Sequence, residues 1–228
     1  MGAGGRHARG RALRRLPAPA RLDRILTKEL RAVGLFGGSF DPPHLAHRAL
    51  AEAALAQLPL EALLWVPARQ SPHKADQVPA SGADRVAMLE RLVRGEPRFC
   101  VDTRELDRDG PSYTVDTLRE LHDQQPGVRW WLVIGQDQYA RFDTWHEWRE
   151  ILSLAGLAVA ARDGDGVRAA PGLSGIPHAL RILEMPALPH SATVARSRAA
   201  AGLDVTALVG TPVARYIADH NLYRIAPG

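Results

Sequence analysis

GLFGGSFDPPHLAH, residues 34–47, opens as an apolar strand, breaks at Gly37-Gly38, and then supplies an aspartate, two prolines and two histidines. A strand ending in paired glycines just before a helix brings backbone N–H groups and a helix N-terminus to one point. Glycine admits close approach, and the first helical turn leaves its donors unpaired. That is a phosphate-binding arrangement in outline, although Gly-Gly turns also occur where nothing binds. His44 and His47 stand three apart at the predicted helix start, so they share the face on which the helix dipole favours an anion. The same spacing suits a metal pair or an incidental surface pair. Against the metal, no third His or carboxylate occupies that face nearby, and a catalytic zinc takes three protein ligands.

Outward from this stretch the chain alternates short apolar runs with segments of helical period. Strands are predicted at 32–37, 62–68, 98–103, 129–135, 157–162 and 181–186, and helices at Leu45–Leu58, Ala83–Val93, Thr114–Gln124 and Trp145–Leu154. Near-continuous apolar strands joined through helices indicate an α/β fold: a doubly wound, mainly parallel sheet with helices on both faces. Ligands of such sheets sit beyond the carboxyl ends of the strands, which directs attention to the loops after Gly37, Pro67, Gly135 and Pro186. Trp130 and Trp131 are assigned to the core. The one linker-like stretch inside the body is DGDGVRAAPGLSGIP, 163–177.

Composition narrows the function class. The chain has 228 residues, 46% hydrophobic and 24% charged, enough for one domain with a substantial core. No apolar run approaches the roughly 20 residues needed to span a bilayer, so no membrane is expected. The single cysteine, Cys100, excludes an intramolecular disulfide and reads as a buried thiol. The net charge is +4, yet residues 1–31 carry eight Arg and one Lys against Asp23 and Glu29, leaving the rest at −3. An anionic ligand must therefore be gripped by local geometry, and no nucleic-acid partner is expected of the body. Residues 1–31 read as a flexible basic leader, with a start-site artefact or a nucleic-acid tail as alternatives, and 32–228 as a single domain. Cytoplasmic location is the expectation, since nothing in the chain needs an oxidising compartment.

The opening stretch resembles the signature of the nucleotidyltransferases whose H-x-G-H motif follows a GGxFDPxH loop. Further segments are similar, in order, to the nicotinate-mononucleotide adenylyltransferase family: SPHK (71–74), PSYTVDTL (111–118), IGQD (134–137), TWHEW (144–148), SATVAR (191–196) and YIADHNLYR (216–224). The resemblance covers residues 32–225. It implies a Rossmann-like nucleotidyltransferase fold and transfer of the adenylyl group of ATP to nicotinate mononucleotide, with release of pyrophosphate. It also implies magnesium bound through the ATP phosphates with no ligands from side chains.

The resemblance assigns residues as well. His44, His47 and Arg196 would be catalytic. Gly37, Gly38, Ser39, Phe40, Gly135, Asp137, Ser191 and Thr193 would join those three around ATP: the 37–40 backbone against phosphate, Asp137 against a ribose, and Ser191 and Thr193 as caps of the helix bearing Arg196. Lys74, Tyr113, Thr114 and Trp145 would take nicotinate mononucleotide, with Trp145 stacked on the pyridine ring and Thr114 near its carboxylate. Trp148 reads as core. Two positions depart from the family: Ala46 stands where glycine is usual, and Ala192 in place of a serine. Other readings are a nucleotidyltransferase with another acceptor, or a nucleotide-binding regulator without activity. The oligomeric state is open, with a homo-oligomer one option.

Overall fold

The computed structural model describes residues 31–70, 79–162 and 166–224. Six strands form one sheet: β1 (Ala32–Gly38), β2 (Ala62–Pro67), β3 (Phe99–Val101), β4 (Arg129–Gly135), β5 (Ala155–Arg162) and β6 (Leu180–Met185). Their order is β3-β2-β1-β4-β5-β6, and every neighbouring pair is parallel. The chain winds outward from β1 to β3, returns to the far side of β1, and winds outward again from β4. This is the doubly wound fold expected from the sequence.

The helices are α1 (Leu45–Gln57), α2 (Gly82–Leu92), α3 (Arg104–Asp107), α4 (Thr114–Gln124), α5 (Gln136–Tyr139), α6 (Trp148–Leu154), α7 (Ala192–Ala200), α8 (Thr206–Val209) and α9 (Thr211–Asp219). Strand alternation divides the apolar side chains between two cores. Phe36, Trp65, Trp131 and Val133 face α1, α2, α7 and α9, whereas Leu35, Leu64, Trp130 and Leu132 face α4 and α6. Leu35, Leu64 and Leu132 are at most 2% exposed, and burying a side chain of this size contributes about 1.5–3 kcal/mol. Trp130 and Trp131 are core residues, as expected, but on opposite faces. Gly156 of β5 makes room for the second: a Cβ there would stand 2.7 Å from the Trp131 ring. Cys100 is buried in β3.

One predicted helix is shorter than expected. The pattern Trp145–Leu154 predicts a helix from Trp145, but a 3-10 turn spans Phe142–Thr144 and Glu147 adopts a left-handed conformation at φ 49, so α6 begins only at Trp148. Trp145 is thereby freed from a helix face and lies beside Phe142, their rings 5.2 Å apart. Trp148 is buried, as expected. Among the described residues no helix is long and apolar enough to cross a membrane. The predicted leader falls outside the described residues except for Arg31, as do Lys74 and the rest of SPHK.

Candidate active site

β1 pairs with β2 to its last residue, Gly38 opposite Pro67, and β4 with β5 to Gly135 opposite Ala160. Between β1 and β4 the pairing stops at Leu35 opposite Leu132. The two central strands thus part over Phe36–Gly38 and Val133–Gly135, at the point where the strand order reverses. A cavity of about 1050 Å³ opens there, lined by both parted segments. Every described residue singled out from the sequence for a role lines it: Gly37, Gly38, Ser39, Phe40, His44, His47, Tyr113, Thr114, Gly135, Asp137, Trp145, Ser191, Thr193 and Arg196.

His44 is the N-cap of α1, and the cap is reciprocal. Its Nδ1 accepts from the His47 amide at 3.4 Å, while His47 Nδ1 accepts from the His44 amide at 3.2 Å. The rings stack at 3.5 Å. An Nδ1 that accepts leaves Nε2 as the protonated nitrogen of a neutral ring, so both histidines are held as Nε2–H donors. Phe40 is buried beneath them and meets the His47 ring edge-on at 5.1 Å. Its side chain therefore supports the histidine, and its backbone, at φ 48, shapes the loop. Gly37 faces the cavity without obstruction: a Cβ there would meet nothing within 4 Å. Ala46 lines the cavity from the first turn of α1 and is not among the positive-φ residues, so its methyl carries no backbone strain.

Arg196 reaches the same loop from α7. Its Nη1 donates to the Asp41 carbonyl at 2.7 Å and stands 3.9 Å from the Asp41 carboxylate. Ser191 caps α7, accepting from the Val194 amide at 3.2 Å. Thr193 does not cap, contrary to expectation: it sits one turn-position inside the helix, where its hydroxyl is exposed. Ala192 lines the cavity half-buried. Beneath this layer, Arg85 is buried and donates to the carbonyls of Ser39 at 2.8 Å, Ala68 at 2.7 Å and Ala80 at 3.1 Å. Burial pulls its guanidinium below the usual arginine range, with Asp41 and Tyr223 acting in the opposite direction. Arg85 staples the loop after β1 to the loop after β2.

The opposite end of the cavity is aromatic. Tyr113 and His146 face each other with ring centroids 4.2 Å apart, and Trp145 completes the wall. Tyr113 is the N-cap of α4 but supplies no side-chain cap, so the first amides of that helix, from Thr114 on, have no such partner. Arg119 ties α4 to α6: its Nε donates to Glu150 at 2.8 Å, and it also pairs with Asp116 and Glu147. Asp137, exposed in the first turn of α5, does not cap that helix, whose N-cap is Gly135. Its carboxylate is thus turned to solvent at the rim of the cavity. Glu105 is buried in the wall of the cavity, accepting from the Thr117 hydroxyl at 2.7 Å. Burial pushes its carboxyl above the usual range, opposed by Thr117 and by Arg108.

Asp41, Arg85, Glu105 and Tyr223 were not singled out as site residues from the sequence. Arg85 carried a signal, because it shares an apolar helix face with Met88, Leu89 and Leu92, all buried. Asp41 beside two prolines reads as a turn residue, nothing local marks Glu105, and Tyr223 lies in the family-like segment YIADHNLYR without a role assigned to it.

Comparison with known proteins agrees with this geometry. Residues 35–198 match the cytidylyltransferase-like family. A "Probable nicotinate-nucleotide adenylyltransferase" of Methylibium petroleiphilum is 44% identical over 197 residues, 85% of this chain and 92% of its own. One of the same name from Albidiferax ferrireducens is 45% identical over 200 residues, 86% of this chain and all of its own. Among solved structures, a Plasmodium falciparum nicotinic acid mononucleotide adenylyltransferase complexed with NaAD superposes with a TM-score of 0.69 over 85% of this chain and 97% of its own, at 17% identity, a likeness of fold.

Proposed function

The chain belongs to the nicotinate-nucleotide adenylyltransferases, and from that premise we propose how its own residues divide the work. The enzyme transfers the adenylyl group of ATP to nicotinate mononucleotide, forming deamido-NAD and pyrophosphate, a step of NAD biosynthesis. The nucleophile is a phosphate oxygen that is already ionised, so no general base is needed. Catalysis then consists of aligning two substrates and stabilising charge as the α-phosphorus passes between oxygens.

His44 and His47 offer their Nε2–H groups to the ATP phosphates, with His47 the principal donor in the transition state. The Gly37–Phe40 backbone lies along the same phosphates, and the obstruction-free face of Gly37 is where they approach. Arg196, with Ser191 and Thr193 at the start of α7, takes the departing phosphates. Asp137 accepts from a ribose hydroxyl. Trp145 stacks on the pyridine ring, while Tyr113, Thr114 and the uncapped amides of α4 receive the nicotinate carboxylate, and Lys74 meets a substrate phosphate. Magnesium enters as the MgATP complex, held by phosphate oxygens. We assign the reaction to the cytoplasm, since the single thiol, Cys100, is buried and calls for no oxidising compartment.

The observation that carries this division is the reciprocal His44–His47 cap at the parting of β1 and β4. Pyrophosphate release with MgATP tests it. Nicotinate mononucleotide is expected to support release, and nicotinamide mononucleotide, phosphopantetheine or FMN far less. Equal release with the amide nucleotide would remove the carboxylate role of α4.

A further inference from the structure

Tyr223 lies beyond the last helix, yet its hydroxyl donates to Asp41 Oδ1 at 2.8 Å. The chain reaches it through left-handed positions, Asn221 at φ 49 and Tyr223 itself at φ 66, with Leu222 packed on the core between them. The same Oδ1 accepts from the Ala80 amide at 3.1 Å. The other carboxylate oxygen stands 3.9 Å from Arg196 Nη1, too far for a hydrogen bond, because that nitrogen donates instead to the Asp41 carbonyl. Arg196 is therefore hydrogen-bonded to a neutral oxygen, while the carboxylate of the same residue stands within ion-pair distance but beyond a hydrogen bond. Burial and the Asp41 charge push the Tyr223 phenol far above its ordinary range, so its hydroxyl remains a donor.

We propose that Tyr223 is a positioning residue for ATP, keeping the Asp41 carboxylate turned away from Arg196 so that the guanidinium stays available to the nucleotide's phosphates. The inference rests on the phosphate role given to Arg196 above. Without the hydroxyl, a buried carboxylate loses one of its donors, and the Arg196 guanidinium, 3.9 Å from its other oxygen, is a cation able to replace it. Arg85 is committed to three backbone carbonyls. Closing the 3.9 Å gap would form a charge-assisted pair that ATP must then displace.

The test is a set of Michaelis constants for both substrates. Tyr223→Phe is expected to raise KM for ATP about ten- to a hundredfold, the size of one charged hydrogen bond gained by a competitor, with KM for nicotinate mononucleotide unchanged. In an Asp41→Asn background the same change should leave KM for ATP where it was, because there is no charge to release. An equal rise in both backgrounds, a matching rise for the second substrate, or no rise at all overturns the inference. Leu222→Ala loosens the same segment but keeps the hydroxyl; it should lower the thermal midpoint without moving KM for ATP, and a rise as large as that of Tyr223→Phe would assign the effect to packing. Arg196→Ala separates the two readings. If it leaves KM for ATP at the wild-type value, the phosphate role of Arg196 fails; if it raises KM and Tyr223→Phe does not, only the role of Tyr223 fails.

Discussion

At the end of the cavity proposed for the phosphates, Asp41, His44 and Arg85 are buried and the polar groups are bonded to one another: Asp41 to Tyr223 and Ala80, Arg85 to three carbonyls, His44 and His47 to each other's amides. At the end proposed for the pyridine ring the wall is aromatic, and beside it the half-exposed Arg119 ties α4 to α6 through its pairs to Asp116, Glu147 and Glu150. Buried polar groups cost dearly when a partner is removed, whereas exposed ion pairs are weak and screened by salt. The first end is suited to fixing a reaction geometry that never varies. The second is suited to choosing among acceptors, where graded contacts suffice.

If that contrast holds, the largest effect belongs to the phosphate end. His47→Ala is expected to lower turnover by a factor of about 10² to 10³, with a smaller change in KM for ATP, as measured by pyrophosphate release. More than half of the wild-type turnover would take His47 out of the mechanism.

Trp145→Ala should weaken nicotinate mononucleotide binding by about 1–3 kcal/mol, what stacking on one aromatic contributes, and leave ATP binding alone. Calorimetric titration of each substrate decides it, and equal losses would mean that the ring supports the fold of the 3-10 turn instead. Arg119→Gln sharpens the same end. It should raise KM for nicotinate mononucleotide by about two- to fivefold at low salt, and the gap to wild type should close as ionic strength rises. A gap that persists in high salt would show that Arg119 acts through packing.

Ala46→Gly probes whether the phosphate end tolerates a change that touches no polar group. Since Ala46 occupies the first turn of α1 without a positive φ, glycine should cost about 0.5–1 kcal/mol of stability, with KM for ATP level or lower. A more stable glycine variant would contradict the helical backbone at this position. The smallest effect is expected at Glu105. Its carboxyl lies above the usual range in the folded state because it is buried, so the stability tied to its proton is complete below the unfolded carboxylate range and is lost as pH rises through the folded value. Glu105→Gln keeps a neutral group there at every pH. Its thermal midpoint should therefore gain on that of wild type from mildly acidic to mildly alkaline buffer, and a gain that shrinks with pH would reverse the sign of the argument.

The sheet and helices α1, α2 and α4 were legible because apolar periodicity is a local signal: β1, β2 and β4 appear where the runs VGLF, ALLWV and WWLVI stand, whereas the short α3, α5 and α8 and the closing α9 were not among the expected helices. The late start of α6 was not, because the residues TWHEW carry helical spacing and only the left-handed Glu147 interrupts it. At the site, the residues given a role from the motifs all line the cavity where the structure describes them, whereas YIADHNLYR, 216–224, contributes none to the lining. The hub beneath them escaped notice since its members come together only by tertiary folding. Asp41 and Tyr223 are separated by 182 positions, and no pattern within either segment encodes their hydrogen bond.

The reciprocal cap of α1 has a consequence for anyone altering this site. The atoms that close the helix and the atoms proposed to meet the nucleotide belong to the same two rings, Nδ1 on one side and Nε2 on the other. Deleting either imidazole therefore unravels a helix start and withdraws a donor in one stroke, and the two losses arrive confounded. Asparagine at position 44 would part them. It is a strong N-cap in its own right, so the helix would keep its first turn while the imidazole disappeared.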